Sequence, residues 1–276
     1  MTPDATAEAQ PDQQAGLWSA HVAAYEAVFE PLTNRFAEEA LQALALHPGA
    51  RCLDVAAGCG GAALMAARAG AQVLAVDAAE GMVGRIRARA GDLPLSAAVM
   101  DAARLALADG SFDAALSVFG IILCVDAQAA LREMVRTLAP GGQVALVTWT
   151  EPQHYDLIVR LLAAVTVVRG PQPPPPTVPA QLRFAEEAVF RALLASAGLS
   201  RIAVSRLEAD LVAPSASWLA ARLAFAPGLA ALLAAQGGAR EAVLARFVAD
   251  LERDQGTGPV RLGAVAFLGT GCRDGE

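Results

Sequence analysis

Residues 51–61 read RCLDVAAGCGG, an apolar strand followed directly by a glycine-rich turn. The turn leads into a helix predicted to begin at Gly61. Glycines at such a turn let the backbone approach a ligand closely, and the N-terminus of the following helix favours negative charge. Alone, this turn fits a dinucleotide about as well as another nucleoside ligand. It therefore predicts a nucleotide-type site without deciding the ligand.

Outward from this stretch, strands and helices alternate along the chain. Predicted strands cover 51–56, 71–77, 95–100, 113–119, 143–149, 202–207 and 261–267, and predicted helices cover 61–69, 80–90, 127–138, 155–168, 186–197 and much of 215–253. A run of prolines, PQPPPP at 171–176, predicts an extended surface linker. This alternation predicts an α/β fold with a doubly wound, mostly parallel sheet of seven strands and right-handed crossovers.

Composition narrows the possible partners and chemistry. The 276 residues carry a formal net charge of −7, and all 21 basic residues are arginine. Lysine-based catalysis is thereby excluded, and an acidic chain with scattered arginine is a poor binder of nucleic acid. The four cysteines and three histidines show no metal-ligand spacing, so no metal is expected. With no signal-like N-terminus and no long apolar run, we expect a cytoplasmic protein without a membrane partner.

Three carboxylates mark the ends of the first three strands. Asp54 stands inside the first strand, and Asp77 and Asp101 end the next two. A carboxylate beside the glycine turn would repel a pyrophosphate but attract a cationic ligand. Asp77 is placed to accept the hydroxyls of a ribose, and Asp101 an exocyclic adenine amine. Each could instead only cap the following helix, yet together they indicate an adenosine ligand with a positive tail.

Four motifs carry a resemblance to a known family. They are LDVAAGCGGAA at 53–63, AVDAAEGMV at 75–83, AVMDAARLALADGSFDAALSVFG at 98–120 and LREMVRTLAPGGQVALVTWT at 131–150. They resemble those of class I S-adenosylmethionine-dependent methyltransferases, in the branch of quinone-ring and small-molecule enzymes. The resemblance implies a Rossmann-like methyltransferase fold and S-adenosyl-L-methionine as cofactor.

The resemblance also implies a set of cofactor-binding positions. These are Tyr25, Asp54, Ala56, Gly58, Cys59, Asp77, Ala78, Met82, Asp101, Ala102, Val118 and Phe119. Two depart from the family pattern, because Ala56 replaces its first glycine and Cys59 a residue that is usually threonine. We expect the methyl group of Ala56 to shift the methionine moiety slightly.

The domain organisation follows from the same resemblance. We expect a disordered tail at 1–14, an N-terminal helical lid at 15–48 and a methyltransferase domain at 49–276. Substrate-facing insertions are expected near 151–200 and 212–258, the second being helical. The sequence leaves open whether the protein is a monomer or a homodimer.

The predicted reaction is methyl transfer to O, N or C of a small, largely apolar acceptor of aromatic or polyketide-like type. With no lysine present, histidine is the natural general base near neutral pH. His154 follows the fifth strand and His21 lies on the lid, so both are candidate catalytic residues. Two alternatives stay open: an NAD-dependent oxidoreductase on the same kind of sheet, and a non-methylating protein of the adenosylmethionine fold.

Overall fold

The structure, a computed structural model, describes residues 9–275 of the chain. The strands of this part are β1 Arg51–Val55, β2 Gln72–Asp77, β3 Leu95–Val99, β4 Phe112–Val118, β5 Leu138–Trp149, β6 Leu199–Ala213 and β7 Val260–Arg273. Its α-helices are α1 Ala15–Trp18, α2 Val22–Ala24, α3 Glu30–Leu44, α4 Gly61–Arg68, α5 Glu80–Ala90, α6 Ala127–Arg136, α7 Asp156–Arg169, α8 Glu187–Ser196, α9 Ala216–Ala220, α10 Pro227–Ala234 and α11 Arg240–Gln255. A π-helical turn, Tyr25–Phe29, joins α2 to α3.

The strands form one seven-stranded sheet in the order β3-β2-β1-β4-β5-β7-β6. β1 to β5 are parallel, whereas β7 runs antiparallel between β5 and β6. The prediction of a doubly wound, mostly parallel seven-stranded α/β sheet is confirmed. Because the chain moves to one side of β1 and then to the other, the switch point lies at the carboxyl ends of β1 and β4, where such sheets bind ligands.

The central strands are largely apolar because helices cover both faces of the sheet. Leu53 and Val55 of β1 and Leu116 of β4 are completely buried. A parallel strand with two covered faces needs apolar residues at consecutive positions rather than in alternation. This burial fixes the depth of β1 and thereby the place where its glycine turn emerges.

The last two strands are longer than the sequence predicts. β6 and β7 pair along almost their whole lengths, from Leu199 with Arg273 to Ala213 with Val260. Along β6 buried or half-buried positions alternate with exposed ones, as expected of an edge strand with one solvated face. Charged residues such as Glu208 and Asp210 therefore lie inside a strand that composition alone marks as a loop.

The N-terminal helical segment, predicted to be a lid, changes its hydrogen-bond pattern just before Pro31. Pro31 has no N–H group to continue the α-helical hydrogen-bond pattern, and the N–H of Glu30 instead bonds the carbonyl of Tyr25, five residues earlier. The resulting π turn places Tyr25 and Phe29 edge to face, with ring centroids 5.5 Å apart. Single π turns in helices are frequent at functional sites.

Three ion pairs join the π turn and the first residue of α3 to α5. Arg85 Nη2 lies 2.6 Å from Glu26 Oε1, Arg89 Nη1 lies 2.7 Å from Glu30 Oε1, and Arg89 Nε lies 3.6 Å from Glu26 Oε1. Arg89 also donates to the carbonyl of Cys59 in the glycine turn, at 2.8 Å. The Glu30 pair is the most buried, with 6% of the glutamate side chain and 22% of the arginine exposed. Arg89 therefore joins Glu30 of α3 to the same glycine turn that forms the predicted site.

Residues 9–14 of the predicted tail pack against the protein, and residues 1–8 lie outside the described residues. The side-chain amide of Gln10 donates to the carbonyl of Val178 at 2.9 Å and accepts from the N–H of Ala180 at 2.8 Å. Asp12 accepts from the N–H of Gly228 at 2.7 Å. These specific contacts order a segment whose polar composition resembles that of a frayed terminus. No helix within residues 9–275 has the length and apolar character to span a bilayer.

Candidate functional site

The glycine turn is held by the carboxylate that ends β2. Gly58, with φ +56°, donates its N–H to Asp77 Oδ2 at 2.9 Å, and Asp77 Oδ1 accepts the N–H of Ala79 at 2.8 Å. Only glycine adopts this left-handed backbone easily, and a Cβ here would meet the hydroxyl of Tyr25 at 3.2 Å. Burial raises the pKa of Asp77 to about 6, although backbone N–H groups oppose the shift.

A cavity of about 1530 Å³ opens at this edge of the sheet. Ten of the predicted cofactor positions line it: Tyr25, Ala56, Gly58, Asp77, Ala78, Met82, Asp101, Ala102, Val118 and Phe119. Its volume exceeds the roughly 300–1,000 Å³ of a typical small-molecule pocket. Residues from both predicted insertions also line it, including Leu182 and Leu229. The cavity therefore has room for two ligands side by side.

Asp54 lies in a second, smaller cavity beneath the glycine turn, of about 20 Å³. This volume holds little more than one water molecule. Glu30 and Asn34 line it too, and Tyr25 lines both cavities. Asp54 Oδ2 is buried without a hydrogen-bond partner in the described structure. Burial, and secondly the charge of Asp77, raise the pKa of Asp54 to about 7.

Ala56, which stands where the family has its first glycine, is accommodated by a glycine elsewhere in the chain. Ala56 has φ +54°, a left-handed conformation that is unfavourable for a residue with a Cβ. Its methyl group occupies space beside Gly120, where an added Cβ would come within 2.5 Å of it. Gly120 thus makes room for the side chain of Ala56.

Cys59 does not line the large cavity. Its sulfur lies 3.4 Å from the sulfur of Met82 and 3.8 Å from the carbonyl of Val22. Burial raises the pKa of its thiol to about 12, so the group is neutral. Cys59 therefore packs between Met82 of α5 and Val22 of α2, while its backbone carbonyl accepts a hydrogen bond from Arg89. A direct contact of Cys59 with the cofactor stays a prediction.

Asp101 combines a capping contact with exposure to the cavity. Its Oδ1 accepts the N–H of Ala103 at 3.0 Å, and its Oδ2 lies 3.6 Å from Arg104 Nε. The side chain is 57% exposed, so its remaining lone pairs face solvent in the cavity. A carboxylate oxygen has two lone pairs, so the capping bond leaves acceptor capacity.

Neither candidate histidine is among the residues that line the large cavity. His21 Nδ1 lies 2.8 Å from the carbonyl of Ala224. His154 Nδ1 lies 3.3 Å from Glu151 Oε2 and 3.4 Å from Thr150 Oγ1. Thr150, unlike His154, lines the cavity. The assignment of a general base to either histidine stays a prediction.

An aromatic stack forms the part of the wall that the sequence analysis did not assign. Trp149 at the end of β5 stacks on Phe119, with centroids 4.0 Å apart, and on Tyr155, at 4.8 Å. The Tyr155 hydroxyl is buried, and no hydrogen-bond partner for it is present in the described residues. The only sequence signal for Tyr155 was its position after the fifth strand.

The comparisons with known proteins agree with this geometry. Residues 53–146 match the family model described as a methyltransferase domain. That match covers the glycine turn and the strand ends carrying Asp54, Asp77 and Asp101.

This segment resembles a methyltransferase domain.

Two curated relatives show how far the sequence similarity extends. A demethylmenaquinone methyltransferase of Beutenbergia cavernae is 41% identical over 112 residues, which are 41% of this chain and 46% of the relative. An uncharacterized protein of Mycobacterium tuberculosis is 37% identical over 129 residues, 46% of each chain. The chain thus spans about half the length of these relatives.

Solved structures extend the likeness to the whole fold. The YcgJ protein of Bacillus subtilis has a TM-score of 0.58 at 19% identity, covering 88% of this chain and 99% of that one. The [4+2]-cyclase SpnF has a TM-score of 0.53 at 22% identity, covering 88% and 81%. At these identities the likeness concerns the fold. The predicted Rossmann-like methyltransferase fold is confirmed, and the match to the family model supports the predicted family over residues 53–146.

Proposed function

We propose that this protein binds S-adenosylmethionine and transfers its methyl group to O, N or C of a largely apolar acceptor. The observation that carries the proposal is the joining of the glycine turn to Asp77 at the head of a large cavity. When bound, this cofactor supplies an electrophilic methyl group on a sulfonium ion.

The residues present fit such a cofactor. Asp77 would accept hydroxyl groups of the ribose, Asp101 the adenine amine, and Met82 would pack against the adenine. The unpartnered oxygen of Asp54 beneath the turn is an acidic group without a counter-charge, which favours a cationic ligand. Two observations support S-adenosylmethionine rather than NAD as the ligand. The residues match the positions of the family's motifs, and the carboxylates at this end of the cavity would repel the pyrophosphate of NAD.

The remaining residues would align the acceptor and exclude water. Most of the lining is apolar, including Phe119, Trp149 and Leu229, and alignment in a dry cleft supplies much of the catalysis in such transfers. Burial raises the pKa of the Tyr155 hydroxyl, so it stays protonated and would donate to a polar atom of the acceptor. His154, first, and His21 are proposed as the general base, for acceptors that must lose a proton.

The experiment that tests cofactor binding is calorimetry with S-adenosylmethionine, S-adenosylhomocysteine and NAD. We expect both sulfur nucleosides to bind and NAD not to bind. Binding of NAD alone would overturn the proposal in favour of an oxidoreductase. Cofactor binding without transfer of a labelled methyl group to apolar acceptors, quinols included, would favour the non-methylating alternative.

Asp77→Asn should weaken the binding of S-adenosylmethionine by about 1.5–3 kcal/mol for each charge-assisted hydrogen bond lost. Asp92→Asn, which removes the same charge from an exposed position, is the matched control and should leave the affinity unchanged. Because Asp77 also holds the glycine turn, circular dichroism and thermal unfolding must show that the variant is folded. An unchanged affinity in a folded variant would mean that the site is misplaced.

A further inference from the structure

The large cavity extends along one whole face of α7. Tyr155, Ile158, Leu162, Val165 and Arg169 all line it. Their spacing of three and four residues puts them in one row along the helix. α7 has 14 residues, which at about 1.5 Å per residue corresponds to a row of roughly 20 Å. The cavity is therefore elongated, running from the aromatic stack to the far end of α7.

Apolar residues form the facing walls of this channel. α10 contributes Leu229, Ala231 and Leu232, and the proline run contributes Pro173 and Pro176. Proline side chains have no hydrogen-bond donor, and the α10 residues are aliphatic. These residues of α10 and the proline run offer apolar contact on two sides of the channel, and the carboxylate of Asp12 lies at the start of α10, where it accepts the N–H of Gly228.

The charged residues of the lining are four carboxylates and one cation. Asp77 and Asp101 line the cofactor end, Asp12 and Asp126 line the cavity elsewhere, and Arg169 is the one basic residue among the lining residues that the structure describes. Arg169 Nη1 donates to the carbonyl of Ala235 at 3.0 Å and to Gln236 Oε1 at 3.3 Å. Gln236 is 7% exposed and is itself fixed by a bond to the carbonyl of Leu232.

These contacts orient the guanidinium without neutralising it. Both partners are neutral oxygens, and no carboxylate lies within ion-pair distance of Arg169 in residues 9–275. Arg169 also ends α7, where a cation is favoured by the helix dipole. The two hydrogen bonds use only the Nη1 nitrogen of Arg169. A planar guanidinium can bind an anion through two parallel N–H groups, so the other nitrogens are left to do so.

We propose that the acceptor is an elongated amphipathic molecule whose anionic group binds Arg169, while its apolar body lies along α7 and its other end reaches the Trp149–Tyr155 stack. This inference rests on the proposed function, which places the cofactor at the acidic end. A carboxylate and a phosphate share the required chemistry. Arg169 is then a specificity-determining residue of the acceptor site.

Binding of simple amphiphiles tests the inference directly. The probes are octanoate, dodecanoate and hexadecanoate, dodecyl phosphate and the uncharged alcohol dodecanol, measured by calorimetry below micelle-forming concentrations with S-adenosylhomocysteine present and absent. We expect affinity to rise about three- to fourfold per added methylene between the shorter carboxylates. We also expect dodecanoate or dodecyl phosphate to bind at least about tenfold more tightly than dodecanol. The two anions, compared with each other, identify the headgroup.

Variants separate the contribution of Arg169 from a general effect of charge. Arg169→Gln should abolish the preference for the anion over dodecanol, while Arg132→Gln, an exposed arginine outside the cavity, should retain it. Leu162→Trp, midway along the row, should weaken hexadecanoate strongly and leave S-adenosylhomocysteine unaffected. Equal binding of dodecanoate and dodecanol by the unmodified protein, or an unchanged preference in folded Arg169→Gln, would overturn the inference.

The two proposals fail in different ways. If S-adenosylhomocysteine binds but no amphiphile does, the channel inference is wrong and the proposed function stands. If neither sulfur nucleoside binds, the proposed function is wrong, and the acceptor assignment falls with it even if amphiphiles bind to the channel.

Discussion

At the scale of single residues, Ala56 shows how one methyl group changes a common motif. Its left-handed backbone at φ +54° costs about 1–2 kcal/mol for a residue with a Cβ, and glycine would avoid that cost while losing more chain entropy on folding. The protein tolerates alanine here because residue 120 is glycine. The glycine-rich turn was predictable from sequence, but its compensation 64 positions later along the chain was not.

We expect Ala56→Gly to raise the free energy of unfolding by about 0.5–1 kcal/mol. Ala45→Gly is the matched control, because Ala45 also has a left-handed backbone, at φ +45°, but lies exposed at the end of α3. Gly120→Ala should destabilise the protein, since its Cβ would lie 2.5 Å from Ala56 Cβ and 2.7 Å from Ala56 O. Combining Gly120→Ala with Ala56→Gly should recover part of the loss.

Urea unfolding measures the free energy of unfolding of these four variants. A loss of stability in Ala56→Gly would contradict the strain argument.

The buried carboxyl of Asp54 should make the stability of the protein, and its binding of the proposed cofactor, depend on pH. Its pKa is about 7 when folded and about 3.9 in an unfolded chain. Between these values the folded state binds more protons, so the stabilising contribution is complete below about pH 4 and is lost as pH rises through about 7. Asp54→Asn should flatten this decline in the free energy of unfolding.

Asp54 lies beneath the glycine turn, outside the lining of the large cavity, and a cationic cofactor bound above the turn would favour its ionised form. We therefore expect S-adenosylmethionine to release protons on binding near pH 6, seen as a dependence of the calorimetric enthalpy on the ionisation enthalpy of the buffer. Adenosine, which is uncharged, serves as the control ligand. An Asp54→Asn variant that releases as many protons as the unmodified protein would show that another group titrates.

At the scale of elements, the π turn and the start of α3 are joined to α5 by ion pairs of unequal burial, of which Arg89–Glu30 is the most buried and Arg85–Glu26 the most exposed. Arg89→Ala would leave Glu30 buried without its cation and the carbonyl of Cys59 without its donor, and we expect a loss of about 3 kcal/mol in stability. Arg85→Ala, on the exposed side of the same helix, should lose much less, because exposed pairs contribute little. Denaturant midpoints in low and high salt distinguish them, since only the exposed pair is strongly screened. Equal losses of stability in Arg89→Ala and Arg85→Ala would mean that burial does not determine how much each ion pair contributes.

The sequence predicted elements best where one rule dominates. The bounds of α5, Glu80–Ala90, agree with the prediction, and β1 differs by one residue. β6 was predicted at less than half its length because its solvated face carries charged residues. The predicted helical block at 215–253 is three helices, since Pro227 begins α10 and a turn at Gly237–Ala239 precedes α11. Periodicity cannot show such breaks when every segment is rich in alanine and leucine.

At the scale of the whole molecule, the cavity is assembled from segments that are distant in sequence. Its cofactor end was predictable because Gly58, Asp77 and Asp101 end adjacent strands of a recognisable sheet. Its far end was not, because Arg169 and Gln236 come together only when α7 and α10 pack. The proline run, predicted as a surface connection, also forms a wall of the cavity. Sheet topology follows from local pattern, whereas pocket depth depends on long-range packing.

The attachment of residues 10–12 to two walls of the cavity bears on how fast ligands enter. Gln10 is bonded to the proline-rich segment and Asp12 to the start of α10, so this segment links both walls beside the ligand. Ligand entry would then be limited by local detachment of this segment rather than by the rate of collision with the ligand.

Stopped-flow fluorescence of Trp18, which donates to the carbonyl of Asp12, should show an observed rate that saturates with ligand concentration. It should also show association slower than the roughly 10⁵–10⁷ M⁻¹ s⁻¹ of unhindered docking. Gln10→Ala should accelerate both entry and release and leave the equilibrium affinity nearly unchanged, whereas rates linear in ligand concentration would mean that the segment does not gate the cavity.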